Sequence, residues 1–384
     1  MAQREDTTDL NEKRIHIVAL DIPYPANYGG VIDIFNRIRA LNNSGIRITL
    51  HAFYSNRPEA PELKEYCDSI FYYKRKMSIS NFFSFMPFIV KTRIDKKLLY
   101  NLLRDTDPII FEGLHTTAYL NHTRLKGRIK LVRMHNIEYE YYYQLAKSEK
   151  NVLRKLYNLL EGFKLKRYEK IITVADHVVT ISPNDYDHYN ATYPNIELIP
   201  SSHSSRKIES LPGYGEYIFY HGKLSVPENE NAVMFLLKNV FSRIKTPFIV
   251  AGMNPSNKLK RTIKKLDYVT LIANPPEEEM LKLIREAHIN LIVTFQATGL
   301  KLKLLKSLYN GRFCIVNSPM VSGTGLEPLC EIADTADDLV KTIDEFMHIN
   351  FSPDHIKIRH QNLMLMFDPV ANAKKWTSLL FPEE

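Results

Sequence analysis

The sequence predicts an α/β protein made of two doubly wound, Rossmann-like domains in series. Three observations predict it. Short apolar runs alternate with helical stretches along most of the chain. The alternation breaks at a Ser- and Pro-rich segment near residue 200 and then restarts. Glycine-containing loops follow strands at places where open α/β sheets bind ligands. At 384 residues the chain is long enough for about two domains, each with its own core.

The first half opens with Arg14-Ile-His-Ile-Val-Ala-Leu20, which reads as a buried parallel strand. A Pro- and Gly-dense loop, Asp21-Ile-Pro-Tyr-Pro-Ala-Asn-Tyr-Gly-Gly30, leads into a helix over 31–41 that ends near Asn43-Ser-Gly45. Ile46–Phe53, Ile70–Tyr73, Ile109–Phe111, Ile129–Arg133 and His177–Ile181 are the next strands, with a long helix across roughly 151–173. Ala191 through Leu211 carries Ile199-Pro-Ser-Ser-His-Ser-Ser205 and Leu211-Pro-Gly-Tyr-Gly215, and reads as the interdomain linker. The second half has strands at Tyr217–Tyr220, Pro247–Ala251, Val269–Ile272, Ile289–Thr294 and Phe313–Val316. Its helices fall at 230–241, 257–265 and 277–287, and a last helix over 369–380 holds the sole tryptophan, Trp376. The expected boundaries are 1–205, 206–365 and a C-terminal helix, 366–384, packing back on the first domain.

Composition narrows the function. No apolar run approaches the roughly 20 residues that span a bilayer. The N-terminus is polar, without the apolar stretch of a signal peptide. The cysteines, Cys67, Cys314 and Cys330, are odd in number and widely spaced, as expected of thiols in a reducing cytosol. A net charge of +8 points to an anionic partner. The basic residues are spread out and no nucleic-acid-binding motif is present, so nucleic acid is not expected. No metal-ligand spacing, Ser/His/Asp set or paired carboxylates emerge, which sets hydrolases and metalloenzymes aside.

The loops at strand ends carry the chemistry. Gly29-Gly30 is a flexible turn or a phosphate approach, and it does not form the G-x-G-x-x-G of dinucleotide enzymes. His135, in Arg133-Met-His-Asn-Ile-Glu138, is a structural hydrogen-bonding residue or a donor to a sugar hydroxyl or phosphate oxygen. In Tyr220-His-Gly-Lys-Leu-Ser-Val-Pro-Glu-Asn229, Gly222 allows close backbone approach and Lys223 reaches a phosphate. Gly299 opens an amphipathic helix, a ready cradle for a diphosphate, with Lys301 and Lys303 beside it.

Together these loops resemble the GT-B glycosyltransferases, particularly the family-4-like retaining enzymes, over nearly the whole chain. Arg133–Glu138 resembles the family's R-x-H-N-x-E segment, and Ala175-Asp-His-Val-Val-Thr-Ile-Ser-Pro-Asn-Asp185 its A-D-x-V-x-x-x-S-x-x-D run. Thr298-Gly-Leu-Lys-Leu-Lys-Leu-Leu-Lys-Ser-Leu-Tyr-Asn-Gly-Arg312 is similar to G-T-G-I-K-L-K-V-L-E-A-L-A-x-G-x. The resemblance implies a GT-B fold, with two Rossmann-like domains facing each other across a cleft. It implies retaining transfer of a hexose, mannose by family frequency, from a GDP- or UDP-linked sugar to a glycan or lipid-linked acceptor, with no cofactor and no metal. It implies catalytic roles for His135, Gly30 and Lys223. Donor binding falls to Gly29, Gly222, Thr298, Gly299, Leu300, Lys301, Lys303 and Lys306, and the acceptor side to Glu112, His115, Asn136 and Glu138. Two departures stand out: the Arg…Lys pair that often grips the β-phosphate in the family is thinned to Lys223 and Asn229, and the second is at Lys306. Lys306 occupies the place of a glutamate that accepts from the nucleotide ribose, and a lysine can only donate. That leaves open an inactive homologue serving as a scaffold.

Lys74-Arg-Lys76, the apolar Ile79–Val90 and Lys91-Thr-Arg93 form an apolar segment flanked by cations, and Lys164-Leu-Lys-Arg167 is expected to extend the basic face. It is either an internal helix pair or a patch for an anionic membrane surface. The expected location is the cytoplasm, peripheral to the inner face of the membrane.

Overall fold

In the computed structural model, residues 12–26, 29–149, 151–201, 207–295 and 302–382 are described. The chain divides into two compact units. One comprises Met1–Ile181, Asp185–Ser202 and Pro369–Glu384; the other comprises Ser182–Asn184 and His203–Asp368.

The first unit is built on a sheet of β1 (Arg14–Ala19), β2 (Arg47–Tyr54), β3 (Ser69–Lys74), β4 (Ile109–Glu112), β5 (Lys130–Arg133), β6 (His177–Thr180) and β7 (Ile196–Leu198). Among the described residues its order is β3-β2-β1-β4-β5-β6-β7, and every pairing is parallel. The second unit holds β8 (Ile218–Gly222), β9 (Phe248–Gly252), β10 (Val269–Ala273), β11 (Ile289–Ile292), β12 (Phe313–Val316) and β13 (Glu331–Ile332). Its order is β10-β9-β8-β11-β12-β13, again parallel throughout. The central strands are covered on both faces, which is why they read as nearly continuous apolar runs: Ile109, Ile110 and Phe111 of β4, and Ile289, Leu291 and Ile292 of β11, are fully buried.

Two strands differ from the sequence expectation. β7 lies inside the segment read as a linker, where Ser and Pro residues mask three residues that pair with β6. β13 is a two-residue strand, too short to show a pattern. Both sheets reverse direction of growth beside their first strand, between β1 and β4 and between β8 and β11. At such a switch point the loops leaving the strand ends part and expose helix N-termini.

The helices that frame these points follow from local sequence. Val31, Ile34, Ile38 and Leu41 line the buried face of Gly29–Asn43, and Ile34, Ile38 and Leu41 pack in one cluster with Ile15, Ile17, Ile48 and Leu50. Pro227 occupies the first turn of Pro227–Asn239, where its missing N–H costs nothing. The C-terminal helix, Pro369–Leu380, belongs to the first unit and buries Trp376 and Leu380 in the same cluster as Ile34 and Ile38. The indole of Trp376 carries the Arg37 guanidinium 5.0 Å and the Arg133 guanidinium 5.6 Å from its ring centre.

That position makes the terminal helix part of the core. Trp376→Ala is expected to lower unfolding stability by about 3–5 kcal/mol in denaturant titration of the intact chain. A loss below about 1 kcal/mol would contradict the packing described.

Candidate functional site

At the switch point of the first unit, buried charges meet. Asp33 and Arg37 sit four residues apart on the Gly29–Asn43 helix, and Arg37 Nη1 donates to Asp33 Oδ2 at 2.9 Å. Arg133, at the end of β5, grips the same carboxylate with Nε to Oδ2 and Nη2 to Oδ1, both 3.2 Å. Its Nη1 donates to the carbonyls of Thr180, at 2.9 Å, and Ile199. Arg37 Nη2 reaches Glu112 at the end of β4, and the other Glu112 oxygen lies 2.9 Å from His135 Nε2. Burial raises the pKa of Asp33, but the charges of Arg133 and Arg37 outweigh it and hold this carboxyl well below the usual range. Asp33, Glu112 and His135 bring one ligand atom each within 4.8 Å of one another, a grouping the sequence reading did not find. Both carboxylates are already neutralised by guanidinium groups, so this donor set is that of an ion-pair network and does not fit a cation.

A second group lies beside it. Gly113 has φ +67°, and a Cβ there would sit 2.8 Å from His115 Nδ1, so glycine is needed for the turn that brings His115 in. His115 Nδ1 lies 3.9 Å from Glu138 Oε1. Burial, with the charges of Arg93 and His135, pushes the His115 imidazole well below its usual pKa. Burial drives Glu138 the other way, up to about 8, against a hydrogen bond with Asn136. Glu169, raised by burial to about 7, accepts from Tyr189 at 3.1 Å and Tyr193 at 3.3 Å. Neutral imidazole and protonated carboxyl side by side near neutral pH can exchange donor and acceptor roles with a polar ligand.

At the switch point of the second unit lysines meet carboxylates: Glu228 accepts from Thr294 Oγ1 beyond the end of β11, and Lys223, Lys303 and Lys306 lie after β8 and β11. Gly222 ends β8, and a Cβ there would lie 3.2 Å from Asn229 Cγ. Asn229 Nδ2 donates to the Lys223 carbonyl at 3.1 Å, leaving the Lys223 side chain exposed. Lys303, on the Leu302–Asn310 helix, donates to Asn229 Oδ1 at 3.0 Å and lies 5.2 Å from the Tyr220 ring centre. One turn on, Lys306 pairs with Glu277 Oε1 at 2.6 Å. Burial and the charges of Lys306 and Lys303 push His221 well below its usual pKa, and its Nε2 shares a 2.9 Å hydrogen bond with Ser307.

The structure thus groups His135 with Glu112, and His115 with Asn136 and Glu138, in the first unit. It groups Gly222, Lys223 and Lys303 in the second, with Lys306 drawn aside to Glu277. Gly29 and Gly30 form the first turn of their helix, and a Cβ on Gly29 would meet nothing within 4 Å, so internal packing does not require glycine there. Thr298, Gly299, Leu300 and Lys301 lie outside the described residues. Sequence reasoning missed Asp33, Arg37, Asn229 as a lysine partner, and Glu277. Asp33 and Arg37 carried a usable signal: an i, i+4 ion pair in phase with the apolar stripe of Val31, Ile34 and Ile38.

No family model matches the sequence. A relative from Klebsiella pneumoniae, an uncharacterized 44.6 kDa protein in cps region, is 27% identical over 331 residues, covering 81% of this chain and 84% of its own. Among solved structures, TarM superposes with a TM-score of 0.66 at 12% identity, covering 97% of this chain and 99% of TarM. Anabaena HepE in complex with UDP and glucose gives 0.65 at 10% identity, covering 96% and 99%. A trehalose-6-phosphate structure from E. coli bound with UDP-2-fluoro glucose gives 0.63 at 11%, covering 97% and 100%. These are GT-B structures, and the fold of this chain is GT-B.

The Glu138 environment is testable by pH. Its folded pKa of about 8 lies above the ordinary 4.5, so its favourable contribution is full below pH 4.5 and lost as pH rises through about 8. Glu138→Gln removes that dependence. In denaturant unfolding the variant is expected to gain stability relative to wild type steadily from about pH 5 to pH 8. A constant difference across that range would contradict a raised Glu138.

Proposed function

We propose that this GT-B chain is a glycosyltransferase. The reaction we infer moves a hexose, mannose among the candidates, from a GDP- or UDP-linked donor to a glycan or lipid-linked acceptor, with retention at the anomeric carbon. The observation that carries the proposal is the β8/β11 switch point, where Gly222, Lys223, Asn229 and Lys303 converge in a fold whose solved representatives include UDP complexes. The relative in a cps region, a capsule biosynthesis region, supports a glycan product.

In this reading the sugar–oxygen bond to the diphosphate breaks, negative charge grows on the departing diphosphate, and the acceptor hydroxyl oxygen takes its place on the sugar while its proton passes to the departing phosphate oxygen. Fixed cations and backbone N–H groups are suited to stabilise that charge. Lys303 is held by Asn229 and Lys223 is exposed beside it; Thr298, Gly299, Leu300 and Lys301 are assigned to the same task. The proposal requires no cofactor and no metal, because lysines supply the positive charge. His135, kept in place by Glu112, and Gly30 are assigned to the sugar, Gly29 to its phosphates, and Glu112, His115, Asn136 and Glu138 to the acceptor. The work is placed in the cytoplasm, on an acceptor at the inner face of the membrane.

Lys306 bears on the nucleoside. Its ion pair places Glu277 beside the position where the resemblance expects a carboxylate. We assign Glu277 the ribose hydroxyls, with Lys306 orienting it. The opposing reading, an inactive homologue acting as a scaffold, is favoured by that same lysine, and calorimetric titration with UDP and GDP separates the two. Binding of one nucleotide is expected, weakened about tenfold or more by Lys303→Ala and by Glu277→Gln. Lys306→Glu is expected to weaken it as well, by setting two carboxylates against each other. Failure of both nucleotides to bind would favour the scaffold.

A further inference from the structure

We propose that the first unit docks on an anionic lipid surface through an apolar ridge built from two segments distant in sequence. The helix Val152–Tyr168 is amphipathic, with Val152, Leu153, Leu156, Leu159, Leu160 and Phe163 at the spacing of a single face. In an ordinary globular domain that face packs inward. Here it is turned to solvent, with Leu153 79% exposed, while Glu161, Gly162 and Leu165 face the interior. Beside it lies the turn Ile79–Phe83 and the residues after it, where Phe83 is 85% exposed and Phe85 fully exposed. The apolar segment Ile79–Val90 therefore splits. Phe88, Ile89 and Val90 are buried as an internal helix would be, and Ile79, Phe82, Phe83 and Phe85 are not.

The two segments form one continuous surface. Phe82 stacks on Phe88 with ring centres 4.1 Å apart and meets Tyr157 edge-on at 5.5 Å. Lys164 Nζ donates to the Phe82 carbonyl at 2.8 Å. The buried Glu161 carboxylate accepts from the Phe88 backbone N–H at 2.7 Å and from Lys164 at 2.8 Å. The exposed aromatic turn is thus fastened to the helix by a carboxylate satisfied from inside the protein.

Charge selects the occupant. No Asp or Glu occurs between Asp68 and Asp95, and Glu161, buried, is the one carboxylate in Val152–Tyr168. Lys74, Lys76, Lys155, Lys166 and Arg167 are exposed around or along these segments. A second copy of the chain meeting this face by two-fold symmetry would set these cations against one another with no exposed carboxylate from either segment to receive them. An anionic bilayer accepts both features, apolar side chains at the acyl boundary and cations at the headgroups. The inference does not depend on the transferase reading.

The test is cosedimentation of the intact chain with lipid vesicles. Binding is expected to phosphatidylcholine vesicles containing about 30 mol % phosphatidylglycerol, and little to phosphatidylcholine alone. Raising salt to about 0.5 M should reduce the bound fraction several-fold. Phe83→Ser with Phe85→Ser, and separately Lys155→Glu with Arg167→Glu, should each weaken binding about tenfold or more while leaving thermal unfolding unchanged. Equal partitioning to both vesicle types, or to neither, would overturn the proposal. A lipid-free dimer that the phenylalanine substitutions convert to monomer would also overturn it.

Discussion

Asp33 and Glu112 can be buried side by side only because Arg37 and Arg133 are buried with them. Two carboxylates and two guanidinium groups leave no net charge in the core, and nearly every polar contact runs between elements far apart in the chain. Removing one member would strand the others without water, a loss of about 3–5 kcal/mol in comparable buried pairs. The network therefore acts as a clasp. It joins the first helix to β4 and β5, holds the ends of β6 and β7 through the Thr180 and Ile199 carbonyls, and offers both guanidinium faces to Trp376 of the terminal helix. His135 inherits its place from this arrangement, since the Glu112 oxygen that meets it belongs to the carboxylate Arg37 holds.

The second unit repeats the topology with a different electrostatic outcome. Where the first unit neutralises its charges internally, the loop after β8 brings Lys223 and the helix Leu302–Asn310 brings Lys303 and Lys306; burial, with the charges of Lys306 and Lys303, keeps His221 neutral against Ser307. A balanced clasp stabilises a fold, whereas a surplus of cations at a switch point is suited to an anionic ligand. Under the proposed function, it is the second unit that takes the donor.

Much of this was legible beforehand. Parallel strands buried on both faces announce themselves as short apolar runs, and eleven of the strands stand in the sequence at nearly their observed places. β7 and β13 did not, because three- and two-residue strands owe their existence to a neighbour's open edge. The strand-end loops identified the site residues by type. Their partners were hidden, since Asp33–Arg133 spans 100 positions and Glu277–Lys306 spans 29, and single-sequence reading ranks no such pair. Periodicity marked a long helix near 151–173, but whether its apolar face is covered depends on what packs beside it. Here the neighbour is another apolar segment that is itself exposed.

The placement of the donor is tested most directly by a crystal structure of the intact chain with UDP or GDP bound. The account predicts the diphosphate at the C-terminal ends of β8 and β11, in hydrogen-bonding reach of Lys303 and the Gly222 backbone, with the ribose near Glu277. A nucleotide bound elsewhere in the second unit, with Lys303 still paired to Asn229 and making no contact to it, would contradict that claim.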